Sequence, residues 1–147
     1  MRLPLKAVAM WLAFLVLAFA NGVLRQMATQ PLLGEHVARL GHTLALAVLF
    51  LLLARWFVRV AGPSGLDGRC LLGLVWAAGA ALFEIGLGRA LGMPWERILA
   101  DWNLAEGRLW PLVPLALLLG PVLAGGPAPG EEAPLAARPR GKRRARR

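Results

Sequence analysis

Hydrophobic residues in this chain fall into four blocks separated by short polar stretches. The blocks run from Ala7 to Leu24, His42 to Val58, Leu71 to Leu91 and Leu109 to Gly125. Each is about 17 to 21 residues, the length that crosses a hydrocarbon layer about 30 Å thick. Inside such a layer the backbone must satisfy its own hydrogen bonds, and helix is the natural solution. The pattern therefore predicts an all-α, polytopic membrane protein: a four-transmembrane-helix bundle over residues 1–125. A fifth, short element lies between the third and fourth blocks. There Trp95, Ile98, Leu99 and Trp102 recur at i, i+3, i+4, i+7, with Glu96, Arg97 and Asp101 elsewhere on the wheel. That spacing predicts a short amphipathic helix lying at the membrane interface.

The third block carries a polar residue where an apolar one is expected. On a wheel centred on Glu84, the near face holds Gly73, Ala77, Ala80, Ala81, Gly88, Leu91 and Gly92. All but Leu91 are small, and small residues let helix backbones approach. Glu84 is thus expected to point into the bundle, about 10 Å from the outer end at 1.5 Å per residue. Arg89 is not its partner, because five residues turn the helix by about 140° and only i+3 and i+4 pairs meet. Polar residues at a similar level on other blocks are better placed. Asn21 and Arg25 close the first block, His42 opens the second and Arg108 opens the fourth. Asn21, Arg25, His42, Glu84 and Arg108 are expected to form one cluster in the outer half of the bundle, with Arg25 or Arg108 beside Glu84. Its role is either a packing register or an ion, proton or solute site.

Charge sets the orientation. Of the 17 lysines and arginines, twelve fall on one side and five on the other. The twelve are Arg2, Lys6, Arg55, Arg59, Arg69 and seven between Arg138 and Arg147; the five are Arg25, Arg39, Arg89, Arg97 and Arg108. Positive residues stay inside, so both termini are expected in the cytoplasm. The first block also resembles a signal peptide, with Ala18-Phe19-Ala20 as a cleavage site. The apolar run continues through Val23 and Leu24, which favours a retained span. Residues 126–147, rich in Pro, Ala and Arg, are expected to form a disordered basic cytoplasmic tail resting on anionic lipid. No aromatic or folded reader of nucleic acid accompanies that tail, so nucleic acid is not an expected partner.

Composition narrows the chemistry. The chain is 58% hydrophobic with only 17% charged residues. Cys70 is the single cysteine, which excludes an intrachain disulfide. Ser64 is the single serine and there is no tyrosine, which removes most nucleophile schemes. Glu35, His36 and His42 match no metal-helix spacing, so neither a metal nor a cofactor is expected. Three function classes are left open. They are a small transport or channel-type protein using Glu84, a non-enzymatic membrane partner or assembly factor, and an enzyme using Glu84, Asp101 or His42 as acid or base. The expected partners are membrane lipid, further copies of the chain and other membrane proteins.

The run Phe83-Glu84-x-Gly86-x-Gly88-Arg89, Gly92-x-x-Trp95, Asp101-Trp102-Asn103 and Gly107-Arg108-Leu109-Trp110 resembles a group of small bacterial four-span membrane proteins. Asn21-Gly22-x-x-Arg25 fits the group's first span. The chain departs from the group's pattern at Trp102 and Gln26, where tyrosine and glutamate stand. The resemblance covers roughly residues 7 to 123. It implies an integral membrane protein with Arg89, Trp95, Asp101, Trp102 and Asn103 in an outer interfacial segment, and it implies no activity.

Overall fold

The computed structural model describes residues 3–63 and 65–125, and the secondary structure of these is all helix, joined by turns and without strands. Helix α1 spans Leu3–Leu24, passes through one π-helical turn at Arg25–Thr29, and ends in α2, Gln30–Leu33. Gly34 then reverses the chain with φ of 80°, a left-handed value that favours glycine. Helix α3 covers Glu35–Ala61 and α4 covers Leu66–Ala90. A six-residue helix α5, Trp95–Ala100, and a 3-10 turn at Leu104–Glu106 lead to α6, Leu112–Val122.

Three helical stretches are long and apolar enough to cross a membrane: Leu3–Leu33, Glu35–Ala61 and Leu66–Ala90. Their apolar residues mostly face outward. Val16, Leu52, Val75 and Leu82 are each more than half exposed. An apolar exterior of this extent is a property of proteins solvated by lipid rather than water.

The first two helical stretches are longer than the expected spans. Residues 25–33 and 35–41 are helical too, so the polar segment between the blocks is the tip of a hairpin closed at Gly34. The fourth block is shorter than expected. Its helix has 11 residues, about 16 Å long at 1.5 Å per residue. Pro111 sets its start and Pro121 lies in its last turn, where a missing N–H limits propagation.

Helices α1, α3, α6 and α4 pack side by side, with α6 against both α3 and α4. Trp110 meets Glu84 while Gly73 lies against Leu118, so α6 runs antiparallel to α4. Glycine makes both approaches to α6 close. A Cβ on Gly73 would collide with the Leu118 carbonyl, and one on Gly120 would sit 2.6 Å from the Ala54 Cβ. The core lies toward the Gly62 end. Phe14 of α1 packs against Phe50 of α3 with tilted rings, at 4.7 Å between centroids, and meets Trp76 of α4 edge-on at 5.2 Å. Phe57 closes the group against Trp76, also at 5.2 Å. The Trp76 indole N–H donates to the Ala7 carbonyl at 3.1 Å.

A polar chamber beneath an arginine-lined mouth

At the Gly34 end polar residues replace apolar ones. Asn21, Arg25, His42, Glu84 and Arg108 all line one chamber of about 180 Å³, together with Arg39, Thr43, Asp101 and Trp110. The sequence-derived cluster is thus a set of neighbours around a cavity. Their pairing, however, differs from expectation. Glu84 accepts a hydrogen bond from the Trp110 indole Nε1, not from Arg25 or Arg108. Among the described residues Glu84 has no ion-pair partner. The reason lies in where Arg108 goes: its guanidinium donates to Asp101 at 2.6 Å and approaches Glu106 at 3.7 Å. Two residues further on, the start of α6 turns Trp110 inward at the level of Glu84.

The α1/α3 side of the chamber is fixed by His42. Its Nδ1 meets Asn21 Oδ1 at 2.9 Å and its Nε2 meets Thr29 Oγ1 at 2.8 Å. Asn21 Nδ2 donates back to the His42 carbonyl at 3.4 Å. Thr29 reaches His42 from the π-helical turn, a local widening of the helix that often marks a functional segment. Neither Thr29 nor Trp110 was in the expected cluster. An indole two residues beyond a cluster arginine was a usable signal for Trp110. Nothing in the sequence announces a π turn.

Above the chamber lies a wider mouth of about 770 Å³, lined by Arg25, Gln26, Gln30, Pro31, Glu35, Arg39, Arg97, Asp101 and Arg108. The two cavities share Arg25, Arg39, Asp101 and Arg108. Four arginines therefore face two carboxylates at the mouth. Arg39 pairs with Glu35 one turn away, and Arg108 with Asp101. Arg25 and Arg97 have no ion-pair partner among the described residues, and Arg25 Nε is buried without an acceptor.

The interfacial residues divide. Arg89 donates to the Met93 carbonyl at 2.7 Å and lies over the Trp95 ring at 5.1 Å, outside the chamber. Asn103 caps the 3-10 turn through Ala105 N. Asp101 faces the cavities. In α5 Ile98 is buried on Gly88, while Trp95 and Leu99 are at least half exposed. Trp102 is half-buried, its indole N–H buried without an acceptor among the described residues. Leu91 and Gly92, expected on the Glu84 face, fall beyond the end of α4, where the wheel no longer applies.

Comparison with protein-family models, with curated proteins and with solved structures finds no match.

Proposed function

We propose that this chain is a multi-pass integral membrane protein that admits an ion, a proton or a small solute from one face of the bilayer, in the manner of a small transport or channel-type protein. One observation carries this reading: the mouth and the chamber share four residues, so a polar route leads from the surface to the Glu84 carboxylate. An ionisable group at that depth is costly unless it is used or paired, and its only described partner is a neutral indole.

By the charge bias, both termini lie in the cytoplasm and the mouth opens outward; the resemblance to small bacterial membrane proteins places the chain in a bacterial inner membrane. In this reading α6 and its flanking turns make the fourth pass, and residues 95–102 lie at the outer interface. The basic tail, outside the described residues, rests on cytoplasmic anionic lipid. Four helices in one chain are few for alternating access, which favours a homo-oligomer. The resemblance to small four-span bacterial membrane proteins fits the same architecture.

The dry aromatic layer of Phe14, Phe50, Phe57 and Trp76 beneath Glu84 favours a second reading. In it the protein is a non-enzymatic membrane partner or assembly factor that holds a ligand without passing it on. Ion and proton flux in proteoliposomes, native against Glu84→Gln, separates the two. Flux in the native chain that falls severalfold in the variant is expected. No native flux, or flux indifferent to the substitution, overturns transport. A pull-down that recovers only copies of this chain counts against the partner reading.

A further inference from the structure

The chamber is open sideways as well as upward. Beside it lies an apolar cleft of about 180 Å³ between α1 and α4, lined by Trp11, Leu15, Phe19, Phe83 and Leu87 among others. Cleft and chamber meet at Ala18, Glu84 and Trp110. A second apolar groove continues the same α1/α4 seam past Trp11 to Ala7 and Leu72. From Leu87 to Leu72 the seam runs about 22 Å at 1.5 Å per residue. That exceeds the roughly 15 Å occupied by one leaflet's acyl chains, half of the 30 Å layer. α1 and α4 touch sparsely: Trp11 covers Gly79 and meets Phe83 edge-on at 6.4 Å, and Trp76 meets Phe14 and donates to the Ala7 carbonyl. The seam residues Phe19 and Leu87 are exposed to the surroundings.

The upper end of this apolar seam adjoins positive charge. Arg25 lies seven residues beyond Ala18 on the same continuous helix, about 10 Å along its axis. Arg25 and Arg97 have no carboxylate partner among the described residues, and Arg25 Nε lacks an acceptor. An unmatched guanidinium at the mouth calls for an anion, and guanidinium forks suit phosphate oxygens in particular. A ligand that satisfies both ends needs an anionic head and an apolar chain about 10 Å below it.

We propose that the mouth and the α1/α4 seam together bind an anionic phospholipid of the leaflet on the Gly34 side, with its phosphate at Arg25 and Arg97 and an acyl chain along Phe19, Phe83 and Trp11. This rests on the reading of the chamber as a ligand site and is independent of whether anything crosses the bilayer. Arg39 and Arg108, held by Glu35 and Asp101, shape the mouth without supplying the unmatched charge.

The test uses the full chain in phosphatidylcholine nanodiscs or mild detergent. Native mass spectrometry compares retention of phosphatidylglycerol with phosphatidylcholine of identical chains. A preference of about tenfold or more for phosphatidylglycerol is expected, and it should vanish in Arg25→Gln/Arg97→Gln. Equal retention of the two lipids, or a preference that survives the double substitution, overturns the proposal. A second measurement needs no arginine variant. Phosphatidylglycerol brominated in its acyl chains should quench tryptophan emission more than the brominated phosphatidylcholine does, and Trp11→Phe should remove most of that difference. No difference in quenching overturns the seam assignment. Inorganic phosphate that binds with no lipid preference shows a site for free anions and also overturns it. Lipid preference with no native flux would sink transport and leave this proposal standing; flux with no lipid preference would do the reverse.

Discussion

The Glu84–Trp110 hydrogen bond joins the only carboxylate inside an apolar block to the turn that leads into α6. An indole N–H can donate to a carboxylate or to a side-chain amide oxygen. Glu84→Gln therefore keeps an acceptor, whereas Trp110→Phe removes the donor and leaves a half-buried carboxylate without its described partner. Loss of one member of a buried pair costs about 1–3 kcal/mol. Thermal melts in one detergent should show Trp110→Phe clearly below native and Glu84→Gln close to it. Equal destabilisation by both would contradict this geometry. At this scale the sequence revealed which way Glu84 faces, because Gly73, Ala80 and Gly88 share its side of the helix. It did not reveal the partner. A cation was the expected partner, and the donor is instead a neutral ring two residues beyond Arg108. The same wheel left Trp76 off that face, yet Trp76 is 1% exposed. Small residues mark where backbones approach, and a large side chain beside them fills the space this creates.

Helix by helix, apolar length located α1, α3 and α4, because roughly twenty apolar residues have few alternatives to helix. It said less about residues 25–41, which are helical but too polar to register as blocks. It overstated the fourth block, since composition does not show how Pro111 and Pro121 bound α6. The contact between α4 and α6 gives a test by substitution in one helix. Gly73→Ala would drive a methyl into the Leu118 carbonyl, whereas Gly86 has nothing within 4 Å of its would-be Cβ. Overpacking typically costs about 1–3 kcal/mol, while alanine for glycine at an open helical site gains up to about 1 kcal/mol. Opposite shifts in melting temperature are expected, downward for Gly73→Ala and level or upward for Gly86→Ala. Phe14→Ala should cost about 3–5 kcal/mol by emptying the space between Phe50 and Trp76. A drop no larger than that of an exposed control such as Val16→Ala would argue against α1 as part of this core.

Taken whole, the molecule has a natural reporter of its placement in the membrane. Cys70, the single thiol, is exposed in the second turn of α4, near the Gly62 end. With the proposed orientation, a membrane-impermeant maleimide should label it only after permeabilisation of the inner membrane. Labelling in intact spheroplasts would reverse the topology and turn the mouth toward the cytoplasm.

The aromatic layer of Phe14, Phe50, Phe57 and Trp76 has an electrical consequence. In the proposed transport reading the chamber is water-filled and stays near the potential of the solution it joins, so the membrane voltage would fall chiefly across the packed aromatic layer below Glu84. Each elementary charge carried through that layer would meet about 2.3 kcal/mol per 100 mV. An ion halting at the mouth would meet almost none. Occupancy of the chamber should therefore be nearly indifferent to membrane potential, while any onward passage past Phe14 and Trp76 should depend on it steeply.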